Sequence, residues 1–334
     1  MRFGLFGSAE APRGAVDPAD GFREFIDTSV EAERLGFHST FLVEHHFSGV
    51  GQVSAPLDLL GWVAARTSTI RVGTAVIALP WHDPVLLAER AATLDLLSAG
   101  RLDFGVGKGY RHPEFAGFCV PIGEAEARFE ESVEVIRRAW MSDDAFSHTG
   151  RFWQYHDIVV EPPTAQKPHP PVWIAAGKPE SVRKVAELGA NLMLDQFASA
   201  ETIGEHIALF KAECEARGRT FDAMEVAVAR NLYVATDRED AREERSRQAS
   251  AHERLVQRSQ GPEGSARSHI LAYAGTPGAT EAHSLFGTSQ EIVAGLEALR
   301  ALGVRYVLIH GGDSARPSMQ RFAADVMPVL DAQV

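Results

Sequence analysis

The sequence predicts an α/β fold of the (β/α)8 TIM-barrel class, formed by a single domain over residues 1–334. Short runs of β-branched and aromatic residues alternate with helical patterns, and this alternation is typical of parallel strands joined by crossover helices. Eight such pairs in a chain of 334 residues fit a closed barrel better than an open doubly wound sheet. The composition, 45% hydrophobic and 23% charged, is that of an ordinary globular protein.

Each predicted strand is an apolar run, and each predicted helix follows one of these runs. The strands are expected at residues 2–7, 39–47, 71–79, 101–107, 172–177, 191–197, 224–235 and 304–312. The helices are expected at residues 18–35, 55–65, 84–97, 124–141, 179–188, 202–217 and 238–258, with a last helix that ends in 325–332. In the first helix Phe22, Phe25 and Ile26 fall near helical spacing, and Gly36 is a candidate for its carboxyl-terminal cap.

Two segments interrupt the alternation. Residues 146–162 contain a Thr-Gly turn between β-rich stretches, which predicts a hairpin inserted before the fifth strand. Residues 261–287 are rich in Gly, Ser, Ala and Pro and are too long for an ordinary loop in a compact domain. We interpret them as a mobile lid before the eighth strand.

Charge and cysteine content exclude several classes of function. The formal net charge of −12 argues against nucleic acid or an anionic membrane as a main partner. Cys119 and Cys214 are too few for a disulfide framework and lack zinc-site spacing. The first residues lack the pattern of a signal peptide, and no apolar run reaches the ~18 residues of a membrane helix. We therefore expect a soluble, cytoplasmic protein.

Glu44, His45 and His46 follow the second predicted strand, where barrel enzymes place their chemistry. A metal site is one interpretation, but neighbouring strand residues point to opposite faces, so the two histidines are poorly placed to bind one ion. Two structural histidines are another interpretation. The position at a strand end favours a third, in which a histidine oriented by the adjacent carboxylate acts as a general acid and base.

Two further strand ends carry residues suited to an anion. Gly105, Gly107 and Gly109 surround Lys108 after the fourth strand, which is equally typical of a ligand site and of a tight turn. After the fifth strand a helix begins near Pro179, and free amides at a helix amino terminus bind anions. Together the two ends predict a phosphate site.

These segments resemble bacterial luciferase and its flavin-dependent relatives over nearly the whole chain. The most specific is FLVEHHF at residues 41–47. The others are MRFGLF, RVGTAVIALPWHDPV, GRLDFGVGKGY, PVWIAAGKPESVRKVAELG, GTSQEIVAGLEAL and DVMPVL, in the same order as in the family.

The resemblance implies roles for individual residues. It makes His45 the catalytic histidine, with Glu44 beside it, and places a cis peptide bond between Ala75 and Val76 in the flavin pocket. It also implies that the FMN phosphate is bound by Lys108, Arg128, Gly177, Lys178 and Ser181. Luciferase has Cys-Arg where this chain has Gly107-Lys108, so light emission is not expected.

The function implied by the resemblance is that of a two-component FMN-dependent monooxygenase. Reduced FMN from a separate flavin reductase and dioxygen would oxygenate a small organic substrate, with His45 handling protons. The family also leads us to expect a homodimer. Two alternatives stay open: a deazaflavin-dependent hydride-transfer oxidoreductase and a non-catalytic flavin-binding protein. The sequence does not identify the substrate.

Overall fold

The computed structural model describes residues 1–10, 16–47, 53–259, 283–310 and 315–331 of the chain. The strands in these ranges are β1 (Arg2–Gly7), β2 (Ser39–Leu42), β3 (Arg71–Thr74), β4 (Ile77–Ala78), β5 (Leu102–Gly107), β6 (Phe146–Thr149), β7 (Gln154–Ile158), β8 (Val172–Ala175), β9 (Asn191–Leu194), β10 (Val226–Val234), β11 (Leu285–Gly287) and β12 (Tyr306–His310).

The helices in the same ranges are α1 (Asp20–Arg34), α2 (Pro56–Arg66), α3 (Pro84–Leu97), α4 (His112–Gly117), α5 (Ala125–Met141), α6 (Pro179–Glu187), α7 (Ala200–Ala216), α8 (Arg238–Ser259), α9 (Ser289–Ala301), α10 (Ala315–Arg321) and α11 (Met327–Asp331). A π-helical turn, Phe322–Val326, joins α10 to α11. Within the described ranges, no helix is long and apolar enough to cross a membrane.

The main sheet has the strand order of a (β/α)8 barrel. Its hydrogen-bonded order runs β11, β10, β12, β1, β2, β3, β5, β8, β9, and β9 also pairs with β10, so the order returns to its start. Parallel pairs in this sheet include β1 with β12, where Phe3 lies opposite Val307, and β3 with β5, where Val72 lies opposite Leu102. The predicted fold class, a closed parallel barrel with flanking helices, is confirmed.

The chain divides into two compact units. The first comprises Met1–Gly7, Glu31–Phe41 and Ile174–Val334, and the second comprises Ser8–Val30 and Leu42–Trp173. In the first unit, β10 is buried along its whole length and pairs with β9, β11 and β12. The single-domain organisation over residues 1–334 stays a prediction.

The second unit carries both predicted catalytic residues, Glu44 and His45, and polar contacts join its strands and helices. At the start of β5, Arg71 donates to both carboxylate oxygens of Asp103 at 2.8 and 3.0 Å. The indole of Trp173 donates to the same carboxylate at 3.1 Å. Asp83 caps α3 by accepting from the amide of Leu86 at 2.9 Å. Bidentate pairing and a side-chain cap each stabilise the elements they join.

The predicted hairpin is present as β6 and β7, which pair antiparallel. Glu131 on α5 holds its turn: the carboxylate accepts from the amides of Arg151, Phe152 and Trp153 at 2.8 to 3.1 Å. A buried carboxylate that accepts several backbone donors is well satisfied. The hairpin is therefore anchored to α5.

The structure adds elements that the sequence did not predict. Helices α4 and α9 and strand β11 were not expected. Strand β11 lies inside the predicted lid, so residues 285–287 belong to the sheet, where Leu232 is opposite Leu285. The prediction of a lid was wrong for these three residues. Residues 261–282 of the predicted lid lie outside the described residues.

Candidate active site

The Glu44-His45-His46 segment leaves the sheet directly after β2. The strand ends at Leu42 although a run to residue 47 was predicted. The strand ends early because the amides of His45 and His46 form hydrogen bonds outside the sheet. The amide of His45 donates to the carbonyl of Val53 at 2.9 Å, and the amide of His46 donates to Glu114 Oε1 at 3.0 Å. The segment is therefore a fixed loop at a strand end.

His45 is paired with Glu114. The ring Nδ1 lies 3.0 Å from Glu114 Oε1, and the Glu114 side chain is 4% exposed. Glu114 Oε1 also accepts the His46 amide, so it acts as an acceptor. We therefore assign the His45 proton to Nδ1, which leaves Nε2 with a lone pair. An imidazole oriented in this way can take up a proton at Nε2.

Glu44 holds two other histidines. Its Oε1 lies 2.9 Å from His46 Nε2 and 2.7 Å from His82 Nε2, and its Oε2 accepts the amide of Ala78 at 2.8 Å. Burial would raise the pKa of Glu44. The hydrogen bonds from His46 and His82 outweigh it, with help from the charge of His82 and the Ala78 amide, and lower the pKa to about 2. Glu44 is therefore an ionised, buried anchor.

The prediction that Glu44 orients His45 was wrong, because the structure gives that role to Glu114. Neither Glu114 nor His82 was among the site residues predicted from the sequence. Both follow barrel strands, which was the available signal. Within the described ranges, no group of three His, Cys, Asp or Glu side chains is placed to hold a metal ion.

The pKa of His45 is lowered from its ordinary value. Burial of the ring is the largest cause, the hydrogen bond that His45 donates to Glu114 opposes it, and the positive charge of Arg111 lowers the pKa further. The nearby charge of Glu44 raises it slightly. His45 is therefore neutral around pH 7, the state in which Nε2 can accept a proton.

Aromatic side chains pack beside the histidines. Phe118 lies 4.8 Å from the ring of His46 and is stacked on Trp81 at 5.3 Å, between ring centroids. Trp81 also meets Phe115 edge to face at 5.2 Å. Phe47 lies 4.9 Å from Phe118 and is 60% exposed. The aromatic cluster (Phe47, Trp81, Phe115, Phe118) gives the site an apolar wall.

The glycines of the G-x-G-x-G run have a packing role. A Cβ at Gly105 would lie 1.7 Å from the carbonyl oxygen of Thr74, and one at Gly107 would lie 2.7 Å from Val76. A Cβ at Gly109 would lie 3.1 Å from Trp81. The space beside each glycine is thus filled by protein atoms, which favours tight packing over close approach of a ligand. The peptide bond between Ala75 and Val76 is cis, which confirms that prediction.

Two of the three cations predicted to bind phosphate are paired with acids at the amino end of α5. Lys108, half exposed, forms an ion pair with Glu126, and Arg128 Nε donates to Glu124 at 2.9 Å. Arg128 also lies over the ring of Phe152, 4.4 Å from its centroid. Exposed pairs of this kind contribute little, so a phosphate can displace them.

Gly177, Lys178 and Ser181 belong to the other compact unit, where they begin α6. Lys178 is the N-cap residue and its side chain makes no capping hydrogen bond. Pro179 at the first helical position has no amide proton, which leaves the amide of Ser181 in the first turn without a side-chain cap. An uncapped helix start of this kind suits a phosphate group.

Comparison with known proteins matches the chain along most of its length. A family model described as luciferase-like monooxygenase matches residues 1–306. The oxygenase component of a flavin-dependent trigonelline monooxygenase from Acinetobacter baylyi is 28% identical, and the match covers 99% of this chain and 96% of that protein.

Two further matches extend the comparison. An F420-dependent glucose-6-phosphate dehydrogenase from Kineococcus radiotolerans is 25% identical over 92% of this chain and 93% of that protein. The crystal structure of monooxygenase RslO1 from Streptomyces bottropensis has a TM-score of 0.85 and 29% identity, covering 99% of this chain and 100% of that one. Each of these matches covers nearly the full length of both proteins.

Proposed function

Because the chain belongs to the luciferase-like monooxygenase family, we propose that it is the oxygenase component of a two-component FMN-dependent monooxygenase. Reduced FMN from a separate reductase and dioxygen would oxygenate a small organic substrate. The observation that carries the proposal is the His45–Glu114 pair at 3.0 Å, which leaves His45 Nε2 available for a proton. The match to a flavin-dependent oxygenase component over 99% of the chain supports it.

The residues predicted for the cofactor fit a phosphate-bearing flavin in their chemistry. Lys108 and Arg128 supply cations whose ion pairs are with acids at the amino end of α5, and the uncapped start of α6 supplies the Ser181 amide with Gly177 and Lys178. We propose that these five residues bind the FMN phosphate and that Ala75 and Val76 line the flavin pocket. FMN, when bound and reduced, supplies the electrons that activate dioxygen.

The protein supplies proton handling and orientation. His45 is proposed to accept and return a proton at Nε2, with Glu114 fixing the ring through Nδ1. Glu44 is proposed to act through His46 and His82, since its carboxylate binds both rings. The aromatic cluster excludes water from one side of the histidines.

A second candidate is an oxidoreductase that uses the deazaflavin F420. The match to an F420-dependent dehydrogenase over 92% of the chain favours it. In this case His45 would handle a proton during hydride transfer without dioxygen. The two candidates differ in cofactor and in their need for oxygen, and both can be measured directly.

The test is an anaerobic titration of the chain with reduced FMN, followed by mixing with dioxygen while absorbance is recorded. We expect reduced FMN to bind. In Lys108→Ala its affinity falls about tenfold, the effect of losing one charge-assisted contact. Lys211→Ala, which removes an exposed lysine on α7, is the matched control and keeps full affinity.

His45→Ala separates binding from chemistry. It should bind reduced FMN normally and lose about 10²- to 10⁴-fold in the oxygen-dependent step, the usual contribution of a general acid or base. If reduced FMN fails to bind while reduced F420 binds, the second candidate replaces the first. If neither binds, both are excluded.

A further inference from the structure

Arg111 lies between β5 and α4, beside the proposed catalytic histidine, and is 7% exposed. Its Nε donates to the hydroxyl of Tyr110 at 3.3 Å, a long and weak hydrogen bond. The guanidinium also lies over the ring of Tyr110, 5.6 Å from its centroid. In the part of the chain that the structure describes, no carboxylate pairs with it and no other acceptor is bonded to it. Its two terminal nitrogens therefore have no protein acceptor there.

Arg230, the other arginine that is buried among the described residues, is 2% exposed and donates to the carbonyls of Asp195, Ala229 and Ala198. Arg71, whose side chain is 22% exposed, makes a bidentate pair with Asp103. Burial of a cation without a partner is costly, so native proteins pair such groups. Arg111 departs from this rule inside the candidate active site, and such departures mark functional positions.

The terminal nitrogens of Arg111 are open to a ligand. Among the described residues, they do not belong to the fully buried side-chain nitrogens that lack a hydrogen-bond partner. The terminal nitrogens therefore keep some contact with solvent. The charge acts on His45, whose pKa it lowers after the larger effect of burial. The carbonyl of Arg111 accepts the amides of Glu114 at 3.1 Å and Phe115 at 3.3 Å, so the residue is fixed to the first turn of α4.

We propose that the substrate oxygenated at this site carries a carboxylate and that Arg111 binds it. The inference deepens the proposed function and rests on it for the reaction. A guanidinium presents a planar fork of donors that matches a carboxylate in two parallel hydrogen bonds. The aromatic cluster beside it, through Phe115 and Trp81, receives the apolar part of the same molecule. Arg111 is thus a specificity residue that holds the substrate next to His45.

A purely electrostatic role is the competing explanation. Glu44 and Glu114 are both buried beside His45, and a nearby cation offsets their charge without touching a ligand. The two roles differ in one respect. If Arg111 binds the substrate, the protein binds a carboxylate more tightly than a neutral molecule of the same shape. If Arg111 acts only through its charge on His45, the protein shows no such preference.

The experiment measures binding by calorimetry with the full-length chain, with and without FMN, in a buffer free of small anions. The probes are acetate, hexanoate, benzoate and phenylacetate, each compared with its amide. We expect at least one carboxylate to bind about tenfold or more tightly than its amide, as expected for a bidentate charged contact. Arg111→Met should remove that preference, and Arg111→Lys should keep part of it.

Controls separate this role from folding and from the cofactor. Arg242→Met removes an exposed arginine of α8 and should behave as wild type. Circular dichroism checks that each variant is folded. Reduced FMN carries a negative charge on its ring, so its affinity is measured in Arg111→Met as well.

The proposal is overturned if no carboxylate binds better than its amide, or if Arg111→Met keeps the preference. It is also overturned if Arg111→Met weakens reduced FMN and leaves carboxylate binding unchanged, because the anion is then the flavin. If the chain prefers carboxylates but binds no FMN, the proposed function is refuted. The proposal that Arg111 binds a carboxylate is then still supported.

Discussion

Neighbouring histidines in this chain are held by different carboxylates. His45 is bound to Glu114, whereas His46 and His82 share Oε1 of Glu44. The His45 side chain is 21% exposed and that of His46 is 11% exposed, so His45 is the more accessible of the adjacent pair. This division leaves one ring available for proton transfer and fixes the other two as structure.

The pKa of His45 should move in opposite directions in two variants. Glu114→Gln removes the hydrogen bond and the charge that raise it, so the pKa should fall. Arg111→Met removes a charge that lowers it, so the pKa should rise. Glu44, the third charged group that acts on the ring, is unchanged in both. An NMR titration of the His45 ring, assigned by comparison with His45→Gln, gives both values. Shifts of the same sign in the two variants would contradict the assigned contacts.

Glu44 should make the protein sensitive to acid. Its folded-state pKa of about 2 lies below the ordinary 4.5, so its contribution to stability is complete above pH 4.5 and is lost as the pH falls towards 2. We expect Glu44→Gln to lower the free energy of unfolding at pH 7 by roughly 2–3 kcal/mol. Urea denaturation from pH 7 to pH 3.5 should show that the difference in free energy of unfolding between wild type and Glu44→Gln becomes smaller below pH 4.5.

The control for this prediction is Glu239→Gln, because Glu239 is an exposed acid of α8. It should follow the wild type at every pH. A gap between wild type and Glu44→Gln that stays constant down to pH 3.5 would show that Glu44 stabilises the fold through shape and not through its charge.

At the scale of elements, the amino end of α5 competes with the proposed cofactor. Glu126 pairs with Lys108, which a phosphate would need. Glu126→Gln should therefore tighten FMN binding about two- to fivefold, the range expected for one exposed ion pair. Fluorescence titration of FMN measures this. Glu187→Gln, which breaks an exposed pair with Lys184, is the matched control and should change nothing. Weaker binding in Glu126→Gln would argue against Lys108 as a phosphate ligand.

Two glycines should respond oppositely to alanine. Gly105 lies in β5, where a Cβ would meet the Thr74 carbonyl at 1.7 Å, so Gly105→Ala must displace backbone. Gly61 lies in α2 and a Cβ there meets nothing within 4 Å. We expect Gly105→Ala to lose about 3 kcal/mol or more, and Gly61→Ala to gain about 0.5–1 kcal/mol. Thermal unfolding of both variants is the measurement. Equal stabilities would show that β5 is not packed against Thr74.

The alternation of elements could be read from the sequence because each strand has its own apolar run and each helix its own periodicity. The exact ends of the strands could not be predicted from the sequence. Strand β2 ends at Leu42 because the next amides bond to Val53 and Glu114, and such partners cannot be inferred from local pattern. The third predicted strand, 71–79, is divided into β3 and β4 around the cis bond between Ala75 and Val76.

Only part of the candidate site could be predicted, because contacts between residues far apart in the sequence leave no local pattern. His45 was found through a short, specific segment. Its partner Glu114 lies 69 residues further along the chain, and that contact depends on tertiary structure. Arg111 had no local signal, because the absence of a carboxylate partner among the described residues is visible only when its neighbours in space are known.

At the scale of the whole molecule, the expected homodimer has a candidate surface in the second unit. Trp62 on α2 and Leu86 and Leu97 on α3 are 57–74% exposed. Leu86 and Leu97 are eleven positions apart, which places them within about 20° on one face of α3. Large exposed apolar side chains on neighbouring helices are typical of an interface.

Light scattering should give a mass about twice 36.3 kDa for the wild type. Leu97→Glu should shift it to the monomer, because a charge in an apolar interface is costly. Val159→Glu, at another exposed apolar position, should stay dimeric. A monomeric wild type would refute the dimer, and a dimeric Leu97→Glu would place the interface elsewhere.

The start of strand β5 stabilises the fold, whereas the end of the strand leads into the proposed cofactor site. Asp103 near its start binds Arg71 and Trp173, whereas Lys108 just after its end belongs to the proposed cofactor site. About 16 Å of extended chain separates them. Mutations this far apart with no shared partners are close to additive. Laboratory evolution can therefore vary Arg111, Phe115 and Phe118 for a new substrate, with Lys108 and Glu114 kept, while Asp103 and its partners preserve the stability of the fold.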